Sequence, residues 1–462
     1  MAWAGLEPAR ARIARTLGIQ DADIAPAACG FAFFFFLFCG YFMLRPIRET
    51  MGIQAGVNQL QWLFTATFVA TLAVVPMFGA LSARVPRATL LTWVYSIFAL
   101  TMAGFAALLY LQPGSVWAAR AFYVWLSVFN LFVVSIAWSL MADVFRMDSA
   151  KRLFALIAAG ASAGGLCGPL LGALLAGALG PAGLLLLSAL LLTATLPLKQ
   201  WLLRWRAATR PETGRQDMQR PIEGALLAGI LRIFQSRYLL GISLLVVLLA
   251  TLNTFLYMEQ ARLVADTFPD TAQRIRVFSA LDVTVQTLAL LSQLFITGRV
   301  ATRLGVRFLL TAVPLAVGLS FLFLAAFPVF GVLAAAMILR RAGEYALIRP
   351  GREMLFTAVP AEDKYKTKNV IDTVVYRGGD AASGWVKAGV DMLGHGAALI
   401  ALLGAAVALG AAAVGYGLGK RADARPWQDQ DKDNNKDNGN DKDNDKDNGN
   451  DKDNDKDKGQ IP

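Results

Sequence analysis

Along NVIDTVVYRGGDAASGWVKAGVDML, residues Arg377, Asp380, Gly384, Lys387 and Asp391 recur at i, i+3, i+7, i+10 and i+14. On a helix that spacing draws one polar stripe down a surface otherwise suited to lipid, so the stripe is expected to face a cavity. Other sets carry charge into apolar surroundings. Tyr41, Arg45 and Arg48 share a helical face in YFMLRPIRETMG, directly after the greasy run CGFAFFFFLFCG. NTFLYMEQARL holds Asn253, Tyr257 and Glu259; Asp282 and Gln286 lie one turn apart; ILRRAGEYALIRPGRE holds Arg340, Arg341, Glu344 and Tyr345. Ionisable groups within apolar segments are costly and commonly line a bundle interior or an aqueous path. Here Arg and Lys exceed acids on these faces, which points to an anion. The guanidinium fork suits phosphate or carboxylate because it makes two charge-assisted hydrogen bonds at once. Arg45, Arg48, Arg341, Arg377 and Lys387 are the expected anion contacts. Tyr41, Glu259, Asp282, Glu344 and Asp380 are expected in gating pairs or proton coupling.

Each set also has a plainer reading. Arg45 and Arg48 arrive where the first helix is expected to end, and there they could snorkel to headgroups. The charges of the tenth and eleventh spans could pair with each other, as Arg377 with Asp380, and simply lock helices together. Catalysis finds no support: there is no Walker loop, zinc-ligand spacing or Ser/His/Asp set, and His395 is the single histidine. Cys29, Cys39 and Cys167 sit inside apolar segments and read as small core residues. Neither an enzyme nor a cofactor nor a metal is expected.

The elements that must position these charges follow from composition. The chain has 462 residues, 56% hydrophobic and 17% charged. Its apolar runs of about 20 residues match the length a helix needs to cross a bilayer. They do not alternate polar and apolar as membrane-barrel strands would. The fold class is therefore an all-α polytopic membrane protein. Twelve spans are expected, near 24–44, 59–82, 88–111, 120–143, 153–176, 181–198, 238–258, 277–298, 307–327, 329–348, 369–392 and 396–419. They form two six-helix bundles, 24–198 and 238–419, flanked by an arm (1–23), a basic connector (199–237) and a tail (420–462). Within the connector, Ile222 to Phe234 is expected as an amphipathic surface helix. The first apolar run reads as a span and not a signal peptide, because Asp21 and Asp23 precede it and no small-residue cleavage pattern follows.

A formal charge of +11 would suggest nucleic acid in a soluble protein. Here most Lys and Arg lie in short loops, where they set topology, and nucleic acid is not an expected partner; the lipid bilayer is. Arg10, Arg12, Arg15, Arg84, Arg87, Arg146, Lys151 and Arg152 all fall on one side with the connector. That side is expected to be cytoplasmic, with both termini there, in a bacterial inner (plasma) membrane. The tail repeats KDNGNDKDND at 436–445 and 446–455. It has almost nothing apolar to bury, and its glycines miss the position a calcium loop requires, so a solvated, disordered tail is expected. The fifth span carries Gly160, Gly164, Gly168 and Gly172 at four-residue spacing, which permits close approach of another helix within the first bundle.

GALSARVPRATLL (79–91) and GRVATRLGVRFLL (298–310) occupy corresponding loops of the two halves. Both resemble the 2–3 loop motif of the major facilitator superfamily without its usual acidic residue. That resemblance implies two bundles with a substrate path between them. YFMLRPIRETMG, SAKRLFALIAAGAS, FLYMEQARLVADTFPD and EYALIRPGREMLFTAVPAEDKYKTKNVIDTVVYRGGDAASG, in this order, resemble the ATP/ADP translocase family over about 400 residues. This resemblance implies exchange of ATP for ADP without hydrolysis, by alternating access. Residue by residue, Arg48 stands where that family usually has Lys, and Glu259 matches its glutamate. Ser149, beside Asp148, replaces a glutamate, and Asp380 replaces a lysine. A carboxylate for a cation beside a polyphosphate should lower affinity unless another base replaces it, which Arg377 and Lys387 could do. The cargo is thus a small-molecule anion, a nucleotide first. A proton-coupled transporter of a non-nucleotide metabolite or drug is the alternative, and a membrane scaffold or sensor the third.

Overall fold

The computed structural model describes residues 21–145, 147–209, 226–359, 361–392 and 396–424. Arg10, Arg12, Arg15, Arg146, connector residues 210–225, His395 and the tail from 425 lie outside the described residues, as do the side chains of Asp148, Ser149, Lys151 and Arg152.

The first span, α1 (Asp21–Gln54), runs well past its expected end at 44. Arg45 and Arg48 therefore project from inside a helix and not beyond one. Next come α2 (Leu60–Arg84), α3 (Arg87–Leu111) and α4 (Val116–Val144). Met147–Thr209 is helical except at Gly180, whose φ of 60° breaks it into α5 (147–179) and α6 (181–209). The sixth span thus continues past 198 into what was expected as connector. The short helix α7 (Leu226–Gln235) falls in the amphipathic stretch. Its Ile233 packs into the second core while Leu231 and Phe234 stand exposed. Then come α8 (Arg237–Thr267), α9 (271–304) and α10 (306–326), the last two divided at Gly305 with φ 77°. At these two hairpins only glycine adopts the required backbone without strain. The chain closes with α11 (330–355), α12 (361–392) and α13 (Gly396–Asp423).

Eight stretches among the described residues are long and apolar enough to cross a membrane, and two of them, Leu156–Thr209 and Thr271–Ala326, are the broken double rods. The rods α11 and α12 have the length without the apolarity, because they carry the charged sets. Apart from α7, every helix among the described residues is thus of membrane length.

Two apolar cores result. In the first, Phe33 and Phe34 of α1 are fully buried against Tyr95 and Trp138. The opposite side of α1 lies on α5. A Cβ at Gly160, Gly164 or Gly168 would stand 2.3, 2.4 or 2.4 Å from the carbonyl oxygens of Phe31, Phe35 and Cys39. The glycine stripe therefore packs inside the first bundle, as expected, whereas Gly172 faces Ser279 of α9. The second core joins α8, α10, α11 and α13 through Leu245, Leu310, Leu333 and Ala408. Asp423 closes it: its carboxylate accepts from the backbone N–H of Val306 (2.8 Å) and Arg307 (3.3 Å), capping α10. That carboxylate reaches the loop between α9 and α10 from the end of α13, the segment GRVATRLGVRFLL itself having none.

The halves meet most closely at the end away from the termini. Met258, Ala261, Ile275, Phe278 and Ala381 of the second half belong to the first half's core. Trp62 and Trp385 are in edge contact at 4.7 Å, and Trp385 Nε1 donates to Thr65 Oγ1 at 3.0 Å.

Gly164→Val should cost about 3 kcal/mol or more, since its side chain would overlap backbone that cannot yield. The expected readout is loss of monodisperse protein and a lowered melting temperature, with Gly104→Ala, which meets nothing within 4 Å, as a silent control.

Candidate functional site

Three helices of the second half depart from α geometry at mid-span. The π-helical turns Gln293–Thr297, Glu344–Ile348 and Ile371–Val375 lie in α9, α11 and α12. Such turns free carbonyls and re-aim side chains, and they recur at functional sites. Here the first serves the second: Thr297 Oγ1 donates to the Ala346 carbonyl (2.8 Å) and Gln293 Nε2 to that of Tyr345 (3.0 Å). In α1, Pro46 donates no hydrogen bond, so the helix is opened beside Arg45 and Arg48.

These irregular segments converge. Arg48 Nη2 donates to Tyr123 Oη at 3.2 Å, its guanidinium lies 4.5 Å over the same ring, and Glu49 is 3.8 Å away. Its Nε is buried without a partner. Arg45 lies 5.5 Å from the Phe42 ring and forms no ion pair or hydrogen bond among the described residues; Asp282, Tyr345, Tyr41 and Glu49 are its electrostatic neighbours. Tyr41 lies in the field of Arg45, Arg48 and Arg377. Arg341 Nη2 stands 2.5 Å from Asp282 Oδ1, both side chains nearly buried, but it is not aligned as a hydrogen bond. Arg377 is 3.7 Å from Asp380, whose Oδ1 accepts from Thr254 Oγ1 at 3.0 Å. Arg340 keeps a buried Nε without a partner near Glu344 and Tyr376, and Arg349 lies 4.9 Å over the Tyr345 ring. Arg45, Arg48, Arg340, Arg341, Arg349 and Arg377 thus have Glu49, Asp282, Glu344, Asp372 and Asp380 as their acidic neighbours, with Arg352 sharing Asp372.

Eight of the ten expected residues gather here. Lys387 and Glu259 do not. Lys387 is 3% exposed, 2.8 Å from Asp391 and 3.8 Å from Glu259, which itself borders Arg262. Gly384 rests on Gln61 and Phe64 of α2. The far half of the α12 stripe therefore lies in the seam between the bundles, not on a cavity as expected. Of the charges of α11, Arg341 takes Asp282 of α9, whereas Arg352 pairs with Asp372 (3.1 Å) and Glu353 with Lys368 of α12. Glu49, Tyr123, Arg349 and Tyr376 complete the cluster without having stood among the expected contacts. Tyr123 had no signal, being one aromatic among many in an apolar span, whereas Arg349 was visible as a charge before proline.

Asp282→Asn should leave Arg341 buried without a counter-charge, a loss of about 3–5 kcal/mol. Melting temperature should fall, and the double change with Arg341→Met should recover most of it; an unaltered single variant would show the pair to be idle.

The sequence profile of the Major Facilitator Superfamily matches residues 27–350. No curated protein matches the sequence. Solved structures do. A bacterial homologue of the iron transporter ferroportin, inward-facing, is 13% identical with TM-score 0.62, covering 86% of this chain and 99% of that one. A bacterial homologue of the human lysosomal transporter Spinster, inward-facing and unoccupied, is 13% identical with TM-score 0.59, covering 88% and 98%. A POT family transporter in complex with a thioalcohol-conjugated peptide is 10% identical with TM-score 0.60, covering 86% and 96%. At these identities the likeness is one of fold. With the family profile covering well over half of it, the chain belongs to the major facilitator superfamily and is a multi-pass membrane transporter of that type.

Proposed function

We propose that the transported solute is an anion, exchanged by alternating access, with nucleotide exchange of the ATP/ADP type as the leading form. The observation that carries this is the guanidinium surplus between the halves, with Arg45 and Arg340 lacking any ion pair among the described residues. An unpaired buried charge is expensive, and a phosphate or carboxylate would relieve it. Tyr41 and the rings of Tyr345 and Tyr376 supply hydroxyls and flat faces beside those cations. The nucleotide itself rests on the resemblance to the ATP/ADP translocases. Its main departure is Asp380 in place of lysine, and that charge is already answered by Arg377 and Thr254. The basic loops favour cytoplasmic termini in a bacterial inner membrane.

In the proton-coupled alternative, Glu259, Asp282 or Asp380 would carry the proton. Each of these has a basic partner, Lys387, Arg341 or Arg377, and so the exchange reading is preferred.

Labelled ATP should enter proteoliposomes loaded with ADP and not empty ones. Arg45→Ala and Arg48→Ala should each lower that flux roughly tenfold or more, the scale of one lost charge-assisted hydrogen bond. Folded protein that takes up no ATP, but accumulates an organic anion on a pH gradient without internal counter-substrate, would replace this reading with the proton-coupled one.

A further inference from the structure

Tyr257 of α8 is a second-half side chain seated in the first half. Its hydroxyl accepts from Tyr123 Oη of α4 at 3.0 Å. Its ring lies 5.5 Å from that of Phe64 of α2. Glu49 of α1 faces the hydroxyl, and a Cβ added to Gly52 of α1 would come within 3.4 Å of it and 3.1 Å of the Tyr123 ring. Three helices of one bundle thus build a socket, and the other bundle supplies the knob. The absent side chain at Gly52 makes room for it. This junction lies on the same side as the Trp62–Trp385 contact and the Thr65 hydrogen bond, where the halves are closed.

Arg48 braces the socket wall from behind, by its hydrogen bond to Tyr123 and by stacking on that ring. We propose that Tyr257 in this socket is the latch that holds the transporter closed at the end away from its termini, with Tyr123 as a positioning residue set by Arg48. A polar latch between halves can release reversibly, because water replaces the hydrogen bond once the halves part; an apolar contact has no such substitute. The latch also adjoins the cation cluster through Arg48. An anion that draws Arg48 from Tyr123 would loosen the junction, and this second step rests on the anion reading above.

The test reads closure without any solute. A cysteine in place of Gln61, which is 8% exposed and packs on Gly384 in the seam, reports access when the solubilised full-length protein is treated with a maleimide, after subtracting the parent's labelling. Tyr257→Phe and Tyr123→Phe should each raise the labelling rate about fivefold, the equilibrium effect of one neutral hydrogen bond. Gly52→Ala, by crowding both rings, should act in the same direction. Tyr95→Phe, whose hydroxyl serves Val133 inside the first bundle, should not. Monodisperse elution of each variant excludes misfolding. Labelling unchanged by Tyr257→Phe, or raised as much by Tyr95→Phe, overturns the latch. The nucleotide assignment stands or falls separately, since no nucleotide enters this measurement.

Discussion

A guanidinium in the middle of a membrane protein must find an acceptor, a carboxylate or an aromatic face, and in this transporter those partners come from different helices. Arg48 of α1 uses Tyr123 of α4, Arg341 of α11 uses Asp282 of α9, and Arg377 shares Asp380 with Thr254 of α8. Satisfying each cation therefore fixes the relative placement of several spans. The partners are too few for the cations. That shortfall, concentrated between the halves, is the chemical character of the site.

The scaffold that permits this is built from small residues and broken helices. Three glycines bring the α5 backbone onto carbonyls of α1, which fixes the helix that delivers Tyr41, Arg45 and Arg48. Opposite them, the π-helical turn of α9 donates hydrogen bonds to carbonyls of the π-helical turn of α11, which carries Glu344 and Tyr345. The seam uses another vocabulary. There the α12 stripe ends in a buried lysine between two carboxylates, and paired indoles and phenols join the bundles. One helix, α12, thus carries charge in the site along one half and in the seam along the other.

The same division of labour holds for the acids. Asp380 is paired with Arg377 of its own helix and hydrogen-bonded by Thr254 of α8, while the cations without an ion pair among the described residues, Arg45 and Arg340, stand on α1 and α11.

Sequence by itself determined the class and most of the apolar span positions, because a bilayer imposes length and apolarity residue by residue. It also exposed Arg45, Arg48, Asp282, Arg341 and Asp380, since a charge in an apolar run is legible without neighbours. Only the tertiary structure decided which charge meets which. Lys387 went to the seam, Arg341 to Asp282, and Tyr123 and Tyr257 to one hydrogen bond 134 residues apart in sequence. Helical spacing says which residues share a face but not which helix lies opposite, and pairing depends on that second surface. The ends of α1 and α6 were misjudged for a related reason: packing inside a bundle supports polar helical turns that hydropathy alone would end.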